Sequence, residues 1–170
     1  MKKVALVLAI VLLMGTLGGC YLFGKEYEAP EKTFTYDSFS ITLTKAFSAD
    51  EDFEGFDVCY DSKAVAVFVE KLPFADEVGL EDVTTSEFAE YQYDYLKDDT
   101  SAPLATENGI YYMNYNGMGD DNTEYTFCVS FHKGSDAFWV VQMTCESKDY
   151  EEYKPYFLNW TKTVDVSGAN

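Results

Sequence analysis

The chain has 170 residues, of which 47% are hydrophobic and 17% aromatic, and its formal net charge at pH 7 is -18. This much apolar side-chain surface suffices for one folded core and excludes a wholly disordered chain. Proteins bind nucleic acid mainly by neutralising phosphates with lysine and arginine, so the acidic excess excludes DNA and RNA as expected partners.

The first twenty residues predict export and lipidation. Two lysines precede an apolar run at 4–14, which is too short to span a bilayer because a transmembrane helix needs about 20 apolar residues. Residues 17–20, Leu-Gly-Gly-Cys, resemble the lipobox of bacterial lipoproteins. The resemblance implies removal of residues 1–19 as a signal peptide, a diacylglyceryl lipid on Cys20, and an anchor in the cell membrane on the extracytoplasmic side. The alternative is an ordinary signal peptide followed by a chance cysteine.

Residues 20–33 are predicted to be the lipidated cysteine and a short polar tether, because lysines, glutamates and a proline dominate this segment. A single folded domain is predicted over residues 34–166. Its strands are expected where apolar and polar residues alternate, or where an apolar run is bounded by turn residues. These are 39–43, 56–60, 64–71, the stretches on both sides of Asn108-Gly109, 125–131 and 138–145.

Helices are predicted at about 84–97 and 150–163. In the first, Thr84 precedes Glu87 by three residues, as in a capping box. Helical spacing predicts which side chains face the core. These are Phe88, Tyr91 and Tyr95 in the first helix, with Tyr93 on the far side, and Tyr153, Phe157, Trp160 and Val164 in the second.

The order of elements is a strand meander, a helix, a second meander and a second helix. Hairpin-like connections leave little room for parallel crossovers, so this order favours the α+β class, an antiparallel β-sheet with helices packed on both faces as an α/β/α sandwich. Four stretches are similar in apolar spacing to the PsbP-like family, over residues 34–166. These are 34–43, 86–91, 138–145 and 150–166. The resemblance implies the same sandwich and a non-enzymatic binding or assembly role.

Three cysteines remain besides Cys20, and they are predicted to be small buried apolar residues. A turn at Gly134-Ser135 would place Cys128 opposite Val141 and Cys145 opposite Glu124. The two sulfur atoms would then lie roughly 13 Å apart along the strands, too far for a disulfide bond. The odd number of cysteines leaves at least one thiol without a partner in the chain.

Catalysis is not predicted. The single histidine, His132, is expected at a surface turn beside Lys133, and no Gly-x-Ser-x-Gly motif presents a nucleophile near it. One histidine without a Cys-x-x-Cys pair does not make a typical zinc site. We therefore expect a membrane-anchored lipoprotein with a non-catalytic binding or assembly role and an envelope protein as a possible partner, the alternatives being an envelope hydrolase and a calcium-binding module.

No cofactor is expected, and calcium is the one alternative for which the sequence offers candidate ligands. Asp50, Asp52, Glu54 and Asp61 match positions 1, 3, 5 and 12 of an EF-hand loop, and Gly55 matches position 6. The last ligand is the shorter Asp rather than Glu, and predicted strands rather than helices flank the segment. The alternative is an acidic loop exposed to solvent.

Overall fold

The computed structural model describes residues 25–76, 78–119 and 121–167. Two α-helices and nine strands make up the regular structure within these ranges. The strands are β1 (Glu31–Tyr36), β2 (Phe39–Thr44), β3 (Ser48–Asp50), β4 (Val58–Asp61), β5 (Ala66–Pro73), β6 (Ala105–Glu107), β7 (Ile110–Met118), β8 (Glu124–Lys133) and β9 (Ala137–Glu146); the helices are α1 (Thr85–Leu96) and α2 (Tyr150–Thr161).

Seven strands form one antiparallel sheet in the order β3-β4-β5-β9-β8-β7-β6, and β1 pairs with β2 in a separate hairpin. The long strands β5, β8 and β9 lie at the centre; β8 and β9 are mostly buried, and β5 is buried over its first half. At the two sides of the sheet, β3 and β6 have only three residues each. All pairings are antiparallel, as the hairpin-rich sequence predicts.

The helices cover opposite faces of the large sheet. In β9, Phe138 packs under α1, where its ring stacks on Phe88 with centroids 4.0 Å apart. The next residue, Trp139, points to the other face and belongs to the core that contains Phe157 of α2. Because neighbouring strand residues alternate between faces, one apolar strand supplies both cores. The predicted α/β/α sandwich of the α+β class is confirmed.

Two features predicted from short sequence signals, a helix cap and a hairpin turn, are present in the structure. Thr84 Oγ1 accepts a hydrogen bond from Glu87 N–H, and the Glu87 carboxylate accepts one from Thr84 N–H, so the predicted capping box begins α1. Asn108 and Gly109 turn between β6 and β7 with φ of 52° and 82°. A positive φ at both turn residues is what a tight hairpin of this kind requires.

The face of α1 differs from the prediction. Tyr91 and Tyr95 are each 55% exposed, whereas Phe88, Ala89 and Gln92 are buried. The buried stripe therefore follows positions i, i+1 and i+4 from Phe88 rather than i+3 and i+7. In α2, the predicted core residues Tyr153, Phe157 and Trp160 are buried.

The register of the last hairpin also differs, by two residues. The chain turns through Ser135 and Asp136, with Gly134 N–H bonded to the Ala137 carbonyl at 2.8 Å, so Cys128 lies opposite Met143 and Cys145 opposite Thr126. The predicted turn one residue earlier shifts every pairing by two, because moving a turn by one residue lengthens one strand and shortens the other.

The segment 25–33 is part of the folded domain rather than a free tether. Residues 26–28 form a turn of 3-10 helix, β1 begins at Glu31, and Glu26 is buried. The segment is polar because one side of it is exposed to solvent and the other side forms hydrogen bonds to the domain. The domain described by the structure therefore starts before the predicted boundary at residue 34.

Candidate functional site

The predicted lipidation residue, Cys20, lies outside the described residues, so the lipid anchor and the signal peptide stay predictions. Within the described ranges, no helix has both the length and the apolar character needed to cross a membrane.

The acidic segment 50–61 forms a strand hairpin rather than an EF-hand-like loop. Asp50 pairs with Cys59 and Ser48 pairs with Asp61, so two of the four proposed ligands lie at different heights along the strands. Asp61 Oδ1 accepts a hydrogen bond from Ser48 Oγ at 3.0 Å, and Asp50 Oδ1 accepts one from Asp52 N–H at 3.0 Å. Strand geometry spreads these carboxylates out, where an EF-hand wraps them around one point.

The proposed calcium site at Asp50, Asp52, Glu54 and Asp61 is therefore not assembled. In the part of the chain that the structure describes, no three side chains of His, Cys, Asp or Glu come together in a group that could hold a metal ion.

His132 is in the strand β8 opposite Trp139, and not at a surface turn. The turn begins later than predicted, which draws this histidine into the sheet. Burial lowers the pKa of His132 to about 4. Its Nε2 atom lies 3.0 Å from Ser130 Oγ, but Ser130 is only 1% exposed, so this serine–histidine pair has no access to a substrate.

The three cysteines of the domain, Cys59, Cys128 and Cys145, are free and buried, as predicted. Burial is the main cause that raises the pKa of each thiol to about 12. The thiolate is the reactive form of cysteine, so these residues are chemically inert at neutral pH. None of them lies in a position to act as a nucleophile.

Residues 25–30, here called the N-terminal arm, are held on α2 by side-chain contacts. Tyr27 stacks on Tyr156 with ring centroids 4.0 Å apart, and its hydroxyl donates to Glu152 at 2.7 Å. Lys25 forms an ion pair with the same Glu152. This ion pair is exposed and contributes little alone, so the aromatic stack is the stronger contact.

A pocket of about 570 Å³ opens between this arm and the domain. Two turns form its other walls, one after β2 with Lys45 and one between β4 and β5 with Lys63. Glu26 and Tyr153 also line the pocket, and Glu26 Oε2 accepts a hydrogen bond of 2.5 Å from the Tyr153 hydroxyl. The proximity of this carboxylate and burial together raise the pKa of Tyr153, burial being the larger cause. The tyrosine therefore stays protonated and acts as a donor.

Sequence reasoning missed this pocket. Its lining comes from the arm, two turns and α2, which are far apart in the chain, and no motif connects them. No local signal in the sequence indicates it, because the three lysines of its lining, Lys25, Lys45 and Lys63, lie in three separate segments of the chain. The predicted tether, residues 20–33, contains both Lys25 and Glu26, so neither was predicted to line a site.

Comparison with solved structures identifies the fold. The solution structure of cyanobacterial PsbP (CyanoP) from Synechocystis sp. PCC 6803 matches with a TM-score of 0.52 and 14% identity, over 89% of this chain and 99% of that chain. A crystal structure from Bacteroides thetaiotaomicron VPI-5482 matches with a TM-score of 0.51 and 12% identity, over 83% of this chain. The match covers 49% of that protein, so this chain spans about half its length.

LpqN of Mycobacterium tuberculosis, whose structure is described as involved in cell envelope biogenesis, matches with a TM-score of 0.44 and 9% identity over 79% of this chain and 89% of that chain. No family model matches the sequence, and no curated protein is significantly similar to it. The protein thus has a PsbP-like fold, in agreement with the resemblance seen in the sequence. At these identities the likeness concerns the fold alone, and the function has to be argued from the site.

Proposed function

We propose that this protein is a lipid-anchored binding or assembly protein on the extracytoplasmic side of the cell membrane, with no catalytic chemistry of its own. The observation that supports this most directly is the position of the docked arm. Lys25 of this arm lies five residues after the lipobox cysteine Cys20, and the arm forms one wall of the pocket described above. An anchor at Cys20 would hold that pocket beside the membrane.

The chemistry of the described residues is consistent with binding rather than catalysis. The thiols of the domain have raised pKa values, and the only histidine is paired with a buried hydroxyl. A hydrolase needs an accessible nucleophile next to a base that can take its proton. A binding protein needs only a shaped surface with a few polar groups, which the pocket provides.

Labelling cells with a radioactive fatty acid tests the anchor. We expect the wild-type protein to carry the label and to sediment with membranes, and Cys20→Ala to lose both properties because the acylated thiol is absent. The matched control is Cys59→Ala, which removes a buried thiol and should keep the label. An unlabelled wild-type protein, or a membrane fraction unchanged by Cys20→Ala, would contradict the proposal.

A further inference from the structure

The pocket beside the N-terminal arm has several features of a ligand-binding site. Its volume of about 570 Å³ is within the range of small-molecule sites, which is roughly 300–1,000 Å³. Charged groups of both signs line it, three lysines and two glutamates. A ligand for this pocket should therefore carry both a positive and a negative group.

The carboxylate of Glu26 can bind the positive group of such a ligand. Glu26 is only 8% exposed, and Tyr153 is the hydrogen-bond donor to its Oε2 atom. The second oxygen, Oε1, is buried and has no hydrogen-bond partner among the described residues. Leaving a carboxylate oxygen buried without a donor costs free energy, and an ammonium group is the donor that would best offset this cost.

The lysines of the pocket can bind the negative group. Lys45 and Lys63 are exposed at the pocket rim, and neither makes an ion pair with any residue that the structure describes. No described carboxylate lies in direct contact with either ammonium group, so both positive charges are available to a ligand. A lysine ammonium acts as a point charge for phosphate, so two of them on one rim favour a phosphate group over a neutral ligand.

We propose that this pocket binds a phosphoethanolamine group, with its ammonium at Glu26 and its phosphate between Lys45 and Lys63. Two sources share this chemistry, the headgroup of a membrane phospholipid and a soluble phosphoethanolamine compound. The membrane source rests on the proposed anchor, because Lys25 is within about 18 Å of extended chain from Cys20. The binding chemistry itself does not depend on the anchor.

Calorimetry with the full-length protein in an uncharged detergent tests the binding. We expect O-phosphoethanolamine to give saturable heat, and phosphocholine and inorganic phosphate to bind about tenfold or more weakly. Phosphocholine has a quaternary ammonium without an N–H to donate to Glu26, and phosphate lacks the ammonium altogether. Absence of saturable heat at millimolar phosphoethanolamine, or equal affinity for the three probes, would overturn the proposal.

Two variants assign the groups. Glu26→Gln keeps the acceptor for Tyr153 but removes the charge, so it should bind phosphoethanolamine and phosphocholine equally weakly; the control is Glu124→Gln, an exposed glutamate away from the pocket. Removing both Lys45 and Lys63 by substitution with Ala should lower the affinity about tenfold or more, whereas Lys32→Ala should not. Thermal unfolding of each variant shows that it is folded. Wild-type affinity in the lysine double variant would overturn the phosphate assignment.

A competition experiment separates the two sources. The protein is placed in phosphatidylcholine vesicles with and without phosphatidylethanolamine, and O-phosphoethanolamine is titrated into both. If the membrane lipid is the occupant, its headgroup should suppress the heat from the soluble probe; if the source is soluble, the heat should be the same in both vesicles. Both outcomes support the binding chemistry, and loss of the anchor in the labelling experiment would leave the detergent titration unaffected.

Discussion

Glu70 in β5 is a side chain whose ionisation should make the stability of the fold depend on pH. Burial, and next to it the negative charge of Asp57, raise the pKa of Glu70 from its ordinary value of 4.5 to about 7. Asp57 is fixed in place because its Oδ2 atom accepts a hydrogen bond of 2.6 Å from Lys71 N–H. The folded state therefore favours the neutral form of Glu70, and ionisation of this group weakens the fold.

We expect the free energy of unfolding of the wild type to carry a contribution from Glu70 that falls as pH rises from about 4.5 to about 7. In this window the unfolded chain has released the proton and the folded chain still holds it. Glu70→Gln should remove this contribution and raise the free energy of unfolding above pH 7 by about 1–3 kcal/mol. Urea denaturation of both proteins at several pH values measures the difference.

The comparison of variant with wild type cancels the other titrating groups. His132, whose pKa is lowered by burial from 6.5 to about 4, gives a slope of the opposite sign over an overlapping pH range, and it does so in both proteins. The exposed Glu124→Gln serves as the control and should follow the wild type. If the free energies of unfolding of Glu70→Gln and the wild type differ by the same amount at pH 5 and pH 8, the pKa of Glu70 is not raised in the folded state.

The N-terminal arm is held on the domain by a small number of contacts. Its two main contacts both involve Tyr27, which stacks on Tyr156 and donates a hydrogen bond to Glu152. Thr44 Oγ1 adds a bond of 2.7 Å to the carbonyl of Glu26. Removing the ring should therefore loosen the arm without unfolding the sandwich, because Tyr27 packs on the outside of the core that contains Tyr153 and is not itself a buried core residue.

We expect Tyr27→Ala to lower the free energy of unfolding by about 1–2 kcal/mol, because an aromatic pair and its buried area are lost. Chemical denaturation measures this change, and faster amide hydrogen exchange at residues 26–28 should accompany it. Tyr91→Ala is the control, since this tyrosine is largely exposed and should change stability by less than about 0.5 kcal/mol. Equal effects of the two substitutions would show that the arm is not held by Tyr27.

The elements that could be predicted are those with a local signal. Thr84 with Glu87 and Asn108 with Gly109 each specify a backbone conformation within a few residues, and the structure has both. The arm could not be predicted, because its polar sequence shows neither alternation nor helical period and its partners lie about 125 residues away in the chain. The pocket was missed for the same reason, since it exists only once the arm is docked.

At the scale of the whole molecule, charge is the dominant feature. Thirty acidic residues against twelve basic ones leave a net charge of -18, and few of the acidic groups have an ion-pair partner among the described residues. Self-repulsion of this size destabilises a compact state. The ten apolar and aromatic residues of the core beneath α1, and the larger core beneath α2, hold the fold against it.

We expect the melting temperature to rise by several degrees when sodium chloride is increased from about 0.01 M to about 0.15 M, because the Debye length falls from about 30 Å to about 8 Å. Circular dichroism melts in the presence of EDTA measure this shift, and the chelator removes any contribution from a bound divalent cation. A melting temperature that stays constant or falls with salt would show that the acidic surface does not strain the folded state.

The very short strands at the two sides of the large sheet affect how neighbouring copies of the protein can pair. β3 and β6 together offer a neighbouring copy only a few free backbone groups, and each strand carries an acidic residue, Asp50 or Glu107. Sheets that meet sideways fuse when a long, flat row of unused N–H and C=O groups lies open. When many copies are packed side by side, these short edges therefore disfavour fusion of one large sheet with the next.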